Sequence, residues 1–264
     1  MSASRDYIAS IITSGDRAAK IDLIWASQNF HMREEYRPLK HELVALGRDS
    51  DAWVRVEVAN KQIPESLWRE LLNDPSPSVR ASALSNSLTG FDMFRAAALD
   101  PDMTPFQKKL LAHSAHAVSD AGVFEALWRV KDCDYHLIGT LDDALRQENP
   151  VIDGAVVGFV EREILTASRY ARSCYCWFSW SVPEVLDTLK DDSFYPVLHH
   201  LAANRRAWLS THAYMAGKHR HPSIRIGIAQ TTRSNELLNR IYDGTRSTAI
   251  REAVQANPVF IPLS

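Results

Sequence analysis

The chain repeats itself at an interval of 25 to 26 residues, and this periodicity constrains its fold more than any other feature. An aspartate, an aliphatic residue and an arginine recur 25 residues apart within residues 49–80, and an aliphatic–arginine pair recurs 26 residues apart within residues 224–251. Repeats of this length are typical of proteins that stack one small structural unit many times. The matching residues are Asp49 with Asp74, Val54 with Val79, Arg55 with Arg80, Ile224 with Ile250, and Arg225 with Arg251.

Each repeat is predicted to be two short α-helices joined by a polar turn. Val54 and Val58 are four residues apart and therefore share one helix face, with Ala59 beside them. The second helix opens with a proline, Pro64 in IPESLWRELLND and Pro183 in VPEVLDTLKDD, and proline suits a first helical turn. One such helix pair cannot bury its apolar face alone, so neighbouring pairs must stack around a shared core.

The repeats carry the pattern D-x4-[VI]-R-x2-[VAI]-A followed by a proline-opened helix, and in this they resemble leucine-rich repeat variant and HEAT-like repeat proteins. The match is best over residues 49–86 and 219–257, and it covers about half of the chain. The resemblance implies an all-α fold, a right-handed α-α superhelix of the armadillo type. It also implies a role in scaffolding or recognition, with a minority of enzymes. The cysteine cluster of one iron–sulfur variant is missing here.

We expect one solenoid domain spanning residues 1–264. Residues 1–48, which are richer in charge, are predicted to form an N-terminal cap, and residues 259–264 a C-terminal tail. Repeats fill residues 49–258, although residues 101–182 are hard to place in register. A hydrophobic content of 45% and a charged content of 23% are ordinary for a folded globular protein.

The sequence carries no recognisable catalytic, metal-binding or nucleotide-binding motif, so we expect a non-catalytic protein without cofactor or metal. Cys133, Cys174 and Cys176 are too few for a disulfide framework, and the C-x-C pair has no second pair downstream. The H-x2-H pair His113 and His116 lacks a third ligand nearby. No long apolar stretch predicts a membrane span, and the start MSASRDYIAS lacks secretory features, so we expect a cytoplasmic location.

A candidate protein-binding strip follows from the helix register. If Val54 and Val58 face the core, the step of about 100° per residue turns Trp53 and Glu57 outward. Carried through the repeats, this register predicts a strip on the concave face that binds another protein, because aromatic anchors are typical of interfaces. The alternative is that these side chains are scattered on the surface or fill gaps between repeats. The strip comprises Trp53, Glu57, His136, Tyr175, His199 and His200.

Charge is distributed unevenly along the chain. Residues 199–264 hold nine Lys or Arg against three Asp or Glu, although the net charge of the whole is −2. This basic end indicates an anionic partner or head-to-tail self-association, with a solvated surface that has no partner as the alternative. It supports an alternative function, a nucleic-acid-binding protein related in fold to the HEAT-like alkylpurine DNA glycosylases, but the acidic remainder argues against it. The candidate anion-binding residues are Arg205, Arg206, Lys218 and Arg220.

Two further sets of residues are assigned to structure. The repeated arginines follow a buried aliphatic residue and lie near the aspartate that opens the turn, so we expect an Asp–Arg ladder between repeats in preference to a phosphate site. The segment CYCWFSW (174–180) is predicted to be a buried helix, with base stacking by Trp177 and Trp180 as the alternative. Tryptophans within helical runs are predicted to lie in the core. These are Trp25, Trp68, Trp128 and Trp208.

Overall fold

A computed structural model describes residues 3–27, 38–148 and 150–262. These residues form eighteen α-helices and two short 3-10 helices and contain no β-strand, so the predicted all-α fold class is confirmed. No helix within these ranges has the length and apolar character needed to cross a bilayer. Residues 28–37 of the predicted cap and 263–264 of the predicted tail lie outside the described residues.

The chain divides into two compact units, Met1–Cys133 and Asp134–Ser264. The boundary falls inside the stretch 101–182, where the repeat is hardest to follow, and just after Asp132, whose backbone adopts a left-handed φ of 62°. The prediction of one solenoid domain, like that of a right-handed superhelix, stays a prediction.

The described residues of unit 1 form nine α-helices and the 3-10 helix Ala115–Val118. The helices are α1 (Ala3–Ser14), α2 (Arg17–Ala26), α3 (Lys40–Leu46), α4 (Ala52–Ala59), α5 (Glu65–Leu72), α6 (Pro77–Leu84), α7 (Phe91–Leu99), α8 (Pro105–Leu111) and α9 (Ala121–Trp128).

Unit 2 contains nine further α-helices and the 3-10 helix Leu189–Asp191. They are α10 (Asp134–Leu145), α11 (Gly154–Glu163), α12 (Arg169–Trp177), α13 (Pro183–Thr188), α14 (Tyr195–Ala203), α15 (Leu209–Lys218), α16 (Pro222–Thr231), α17 (Asn235–Asp243) and α18 (Thr248–Gln255).

Within each unit the even-numbered helices pack on one another in series. In unit 1 the series runs α2, α4, α6, α8, and in unit 2 it runs α10, α12, α14, α16, α18. Odd-numbered helices pack beside them, as α5 does against α6 and α17 against α18. This is the helix–turn–helix stacking that the sequence period predicts, and it places equivalent side chains of successive repeats next to each other.

The core of each unit is built from the aliphatic positions that define the repeat. Val54 and Val79 are fully buried, and Ile224 and Ile250 are at most 3% exposed. Removing such a side chain from water stabilises the fold by about 1.5–3 kcal/mol. The even helices also approach closely where the sequence allows it, because a Cβ at Gly227 of α16 would lie only 3.3 Å from Ala202 of α14.

An ionic ladder connects successive even helices. At three junctions between even helices, the cation at the fourth position of one helix binds the aspartate that lies three residues before the next helix. Lys20 Nζ lies 2.6 Å from Asp49 Oδ2, Arg55 Nε 2.7 Å from Asp74 Oδ2, and Arg172 Nε 2.6 Å from Asp192 Oδ2. The predicted Asp–Arg ladder is therefore confirmed at Arg55.

Among the described residues, the other repeated arginines donate only to backbone carbonyls. Arg80 and Arg251 bind carbonyls of the turns before their own helices, and Arg225 binds the Gly244 carbonyl before α18. For these three the predicted pairing with an aspartate is wrong. At Arg225 the reason is visible in the sequence, since Thr245 occupies the place that Asp74 and Asp192 hold.

An asparagine ladder that sequence reasoning missed runs along the ends of the same helices. Asn86, Asn204 and Asn257 are each at most 7% exposed, and each donates its Nδ2 to two carbonyls at the end of the preceding even helix. Each also accepts a backbone N–H two residues ahead, which shapes its own turn. Thr231 fills the equivalent position in α16 and donates to the Ala202 carbonyl at 3.0 Å. These bonds satisfy helix-end carbonyls that have no partner within the helix.

Candidate recognition surface

Unit 1 carries three exposed aromatic side chains on its even helices, Trp25, Trp53 and Phe106. Together with the half-buried Glu57 they form what we call the unit 1 strip. Trp25 is 60% exposed, Trp53 45% and Phe106 39%. Trp53 and Phe106 meet edge to face with their ring centroids 5.4 Å apart. Trp25 Nε1 donates to Glu57 Oε2 at 3.0 Å, so the carboxylate predicted to face outward holds an indole in place.

Unit 2 carries a longer row, the unit 2 strip: Trp177, His200, His199, Tyr195 and His221. In this order each ring centroid lies within 6.0 Å of the next, which makes the row continuous across α12, α14 and the residue that precedes α16. Trp177 is 59% exposed and Tyr195 41%. Solitary exposed rings are common on protein surfaces, but a connected row is typical of an interaction site.

Hydrogen bonds hold the rings of the unit 2 strip in defined orientations. His200 Nδ1 lies 3.0 Å from Ser173 Oγ, and His221 Nδ1 lies 2.8 Å from Ser223 Oγ. The Tyr195 hydroxyl bonds to both Ser223 and His221. Side chains fixed in this way lose little entropy when a partner binds.

His199, at the centre of the unit 2 strip, has a pKa below its ordinary value. Burial lowers the pKa of His199, and the neighbouring rings of His200 and His221 lower it further. His199 Nδ1 is buried and has no hydrogen-bond partner among the described residues. A neutral ring is the form that packs against apolar partner groups without a desolvation cost for charge.

A second set of rings lies on the same series of helices in unit 2. Tyr170 is 49% exposed and meets Phe194 edge to face at 5.6 Å, and the Arg169 guanidinium lies 5.0 Å from the centres of both rings. Stacked guanidinium and aromatic groups of this kind are enriched at protein interfaces.

The structure corrects one residue of the predicted strip. Tyr175 is fully buried, with its hydroxyl accepting from the Val182 N–H at 2.9 Å and its ring meeting Trp180 edge to face. Burial raises its pKa to about 12, so it stays protonated. The register transferred from α4 fails here because α12 turns Trp177, two residues later, toward solvent in its place.

The remaining predicted residues are divided between the two units. Trp53 and Glu57 lie together in the unit 1 strip, and His199 and His200 lie together in the unit 2 strip. His136 lies on α10, half-buried, with its ring against that of Tyr135.

Sequence reasoning missed several members of both strips. Trp25 and Trp208 were predicted to lie in the core but are 60% and 43% exposed, and the segment 174–180 is not wholly buried, because Trp177 is exposed. Phe106 could have been found from its position, since it is the second residue of α8, as Trp53 is of α4.

Comparison with protein-family models, curated proteins and solved structures finds no match to this chain. The resemblance to leucine-rich repeat variant and HEAT-like repeat proteins therefore stays a prediction.

The four predicted anion-binding residues are not gathered into one site. Lys218 is bound by Asp191 and Tyr214, whose hydrogen bonds raise its pKa to about 12. Arg206 Nε donates to the Ser181 carbonyl at 2.9 Å. Arg220 is exposed, and Arg205 lines a pocket of about 410 Å³ together with Arg233.

The chain presents no grouping of three His, Cys, Asp or Glu side chains that would hold a metal ion within its described part. The Cys176 thiol is fully buried, and burial raises its pKa well above the ordinary value, as it does to a smaller extent for Cys174. Both thiols are therefore poor nucleophiles, because the thiolate is the reactive form.

Proposed function

We propose that this protein is a non-catalytic recognition module that binds another protein through the exposed faces of its even-numbered helices. The observation that carries the proposal is the continuous row of five rings in the unit 2 strip. Aromatic side chains offer a large contact area with few rotatable bonds, and tryptophan and tyrosine are the residue types that most often dominate binding energy.

The unit 1 strip supports the same proposal from an independent set of residues. Trp53 and Phe106 form an exposed apolar contact, and Glu57 supplies a charged edge beside Trp25. Apolar anchors with a polar rim are the usual composition of a protein–protein contact. The cytoplasm remains the expected location of this module.

The nucleic-acid alternative is less well supported. Phosphate-driven binding needs free cations, but Lys218 is already paired with Asp191. Arg206 is tied to a backbone carbonyl, so two of the four candidate residues are engaged within the chain. A salt titration separates the two functions, because affinity for nucleic acid falls steeply with salt.

Site-directed photo-cross-linking tests where a partner binds. The photoreactive residue p-benzoylphenylalanine replaces Trp177 in one variant and Trp208 in a matched control, because Trp208 is also an exposed tryptophan in unit 2 but stands outside the strip. The proposal expects one protein to be cross-linked in the host cell from position 177 and not from position 208. Equal cross-linking from both positions, or none from position 177, would count against it.

A further inference from the structure

The pocket beside Arg205 shares no residue with either strip and has the composition of an anion site. It has a volume of about 410 Å³ and lies in unit 2, where the loop after α14 meets the loop between α16 and α17. Arg205 and Arg233 contribute to its wall, and none of the described residues that line it is acidic. Both arginines are exposed, and neither forms an ion pair with any described residue.

A buried histidine in the wall of the same pocket bonds to the backbone of Leu201 and Asn204 but keeps one ring nitrogen, Nε2, without a partner among the described residues. His212 is only 3% exposed, and its Nε2 makes no hydrogen bond to any described residue. A buried polar atom without a partner costs free energy, of the order of 1–3 kcal/mol, unless a ligand or water satisfies it. This observation does not depend on the two arginines, and it gives the pocket a buried polar atom that a bound group can satisfy.

Two hydroxyl donors and a helix N-terminus also favour an anion in the pocket. Thr232 Oγ1 accepts from the Ser234 N–H, and Ser234 Oγ accepts from the Leu237 N–H, so each oxygen keeps its own proton for donation. Ser234 is the N-cap of α17, a helix of nine residues, whose positive end lies at this position. Anions bind favourably at such positions.

We propose that this pocket binds a phosphate dianion. Two guanidinium groups with no acidic neighbour in the wall favour a ligand with two negative charges over a ligand with one. The fork of N–H donors on each arginine also matches the oxygens of phosphate. The dianion is supplied either as free phosphate or as a phosphorylated side chain of a protein. Neither strip shares a residue with the pocket, so this inference stands independently of the function proposed above.

Calorimetric titration of the full chain with inorganic phosphate, at constant ionic strength, tests the site. Arg205→Gln and Arg233→Gln each remove one guanidinium from an exposed position and are expected to weaken phosphate binding about tenfold or more. Arg220→Gln is the matched control, because Arg220 is an exposed arginine of the same basic region that does not line the pocket. It is expected to bind phosphate like the wild type.

Two further titrations identify the source of the phosphate group. A phosphoserine peptide that binds more tightly than inorganic phosphate, while its unphosphorylated form does not bind, assigns the group to a modified protein. If the peptide binds no more tightly than inorganic phosphate, the ligand of the pocket is the free anion.

Two results would overturn the proposal. They are the absence of any response to phosphate in the wild type, whether or not the chain binds a single-stranded DNA oligonucleotide, and an equal loss of phosphate binding in Arg220→Gln and Arg233→Gln.

Discussion

Arg55 on α4 binds Asp74, three residues before α6, through two parallel hydrogen bonds, Nε to Oδ2 at 2.7 Å and Nη2 to Oδ1 at 2.9 Å. A third bond joins Arg55 Nη1 to the Asp49 carbonyl of its own turn at 2.8 Å. Arg172 and Asp192 repeat the arrangement in unit 2. One arginine thus hydrogen-bonds both to its own turn and to the turn of the next repeat. Neighbouring repeats are therefore linked by a polar contact as well as by the shared core.

Removing the Arg55 side chain should destabilise unit 1 substantially. The side chains of Arg55 and Asp74 are only 12% and 7% exposed, so Arg55→Ala leaves a carboxylate without its partner in a largely buried place. We expect a loss of about 3 kcal/mol in the free energy of unfolding, measured by urea denaturation. Arg48→Ala is the control, because the Arg48–Glu70 pair is 60% and 47% exposed and should contribute nothing measurable. Equal losses in the two variants would show that the buried Arg55–Asp74 pair contributes no more stability than the exposed Arg48–Glu70 pair.

The same pair should make stability depend on pH in the acid range. Burial alone would raise the pKa of Asp74, but hydrogen bonds from Arg55 and the Ser76 N–H outweigh it and lower the pKa below its ordinary value. A carboxylate with a lowered folded-state pKa contributes stability above its unfolded value, about 3.9, and loses it as the pH falls through the folded value. Asp74→Asn should therefore be less stable at pH 7 but decline less steeply below about pH 4 in urea titrations. Parallel pH profiles for variant and wild type would contradict this.

The asparagine ladder gives a second stability prediction. Asn204 donates to the Cys176 and Phe178 carbonyls at 2.8 Å and 3.1 Å, and it is 6% exposed. Asn204→Ala leaves buried acceptors without a donor and should cost about 2 kcal/mol in the free energy of unfolding. Asn73→Ala removes an exposed asparagine that donates to the Arg69 carbonyl, and it should have little effect. A neutral result at Asn204 would mean that water replaces the side chain.

A missing rung of the ionic ladder can be restored. Arg225 Nε is buried and lacks a partner among the described residues, and Thr245 stands where Asp74 and Asp192 stand in other repeats. Thr245→Asp should supply the carboxylate and raise the free energy of unfolding by about 1 kcal/mol, as expected for a charge-assisted hydrogen bond. Thr245→Asn tests the role of charge, because it keeps a similar size. If Thr245→Asp is no more stable than Thr245→Asn, Arg225 does not complete the ladder.

The sequence period predicts the architecture because the same residues define both. Val54 and Ile224 sit at equivalent positions of two repeats, and both are buried as the period predicts. The Arg55 pairing could also be predicted, since the arginine and the aspartate recur at one interval. An asparagine follows the even helix in each of three repeats, and the sequence shows this. Its side chain donates to carbonyls about 28 residues earlier, and local sequence patterns do not reveal contacts over that separation.

The surface was harder to predict because exposure depends on how far each helix is rotated. A shift of two residues decides whether a ring faces the core or the solvent in α12, which buries Tyr175 while it exposes Trp177. The helix register of α4 gave Trp53 correctly, but it does not transfer to α12, whose start lies in the stretch where the repeat is irregular. The sequence indicated Arg205 as a candidate anion-binding residue but did not indicate Arg233. Arg233 joins the pocket because two loops that are distant in sequence pack together.

Recognition through the unit 2 strip is tested most directly by the dissociation constant of the cross-linked partner, purified and titrated against three forms of this chain. Trp177→Ala should weaken binding at least tenfold relative to the wild type, because it removes a large ring of the strip that is 59% exposed and lies outside the core. Trp208→Ala should bind within about twofold of the wild type, since Trp208 lies outside the strip. Equal affinity of the wild type and Trp177→Ala would contradict the proposed recognition surface.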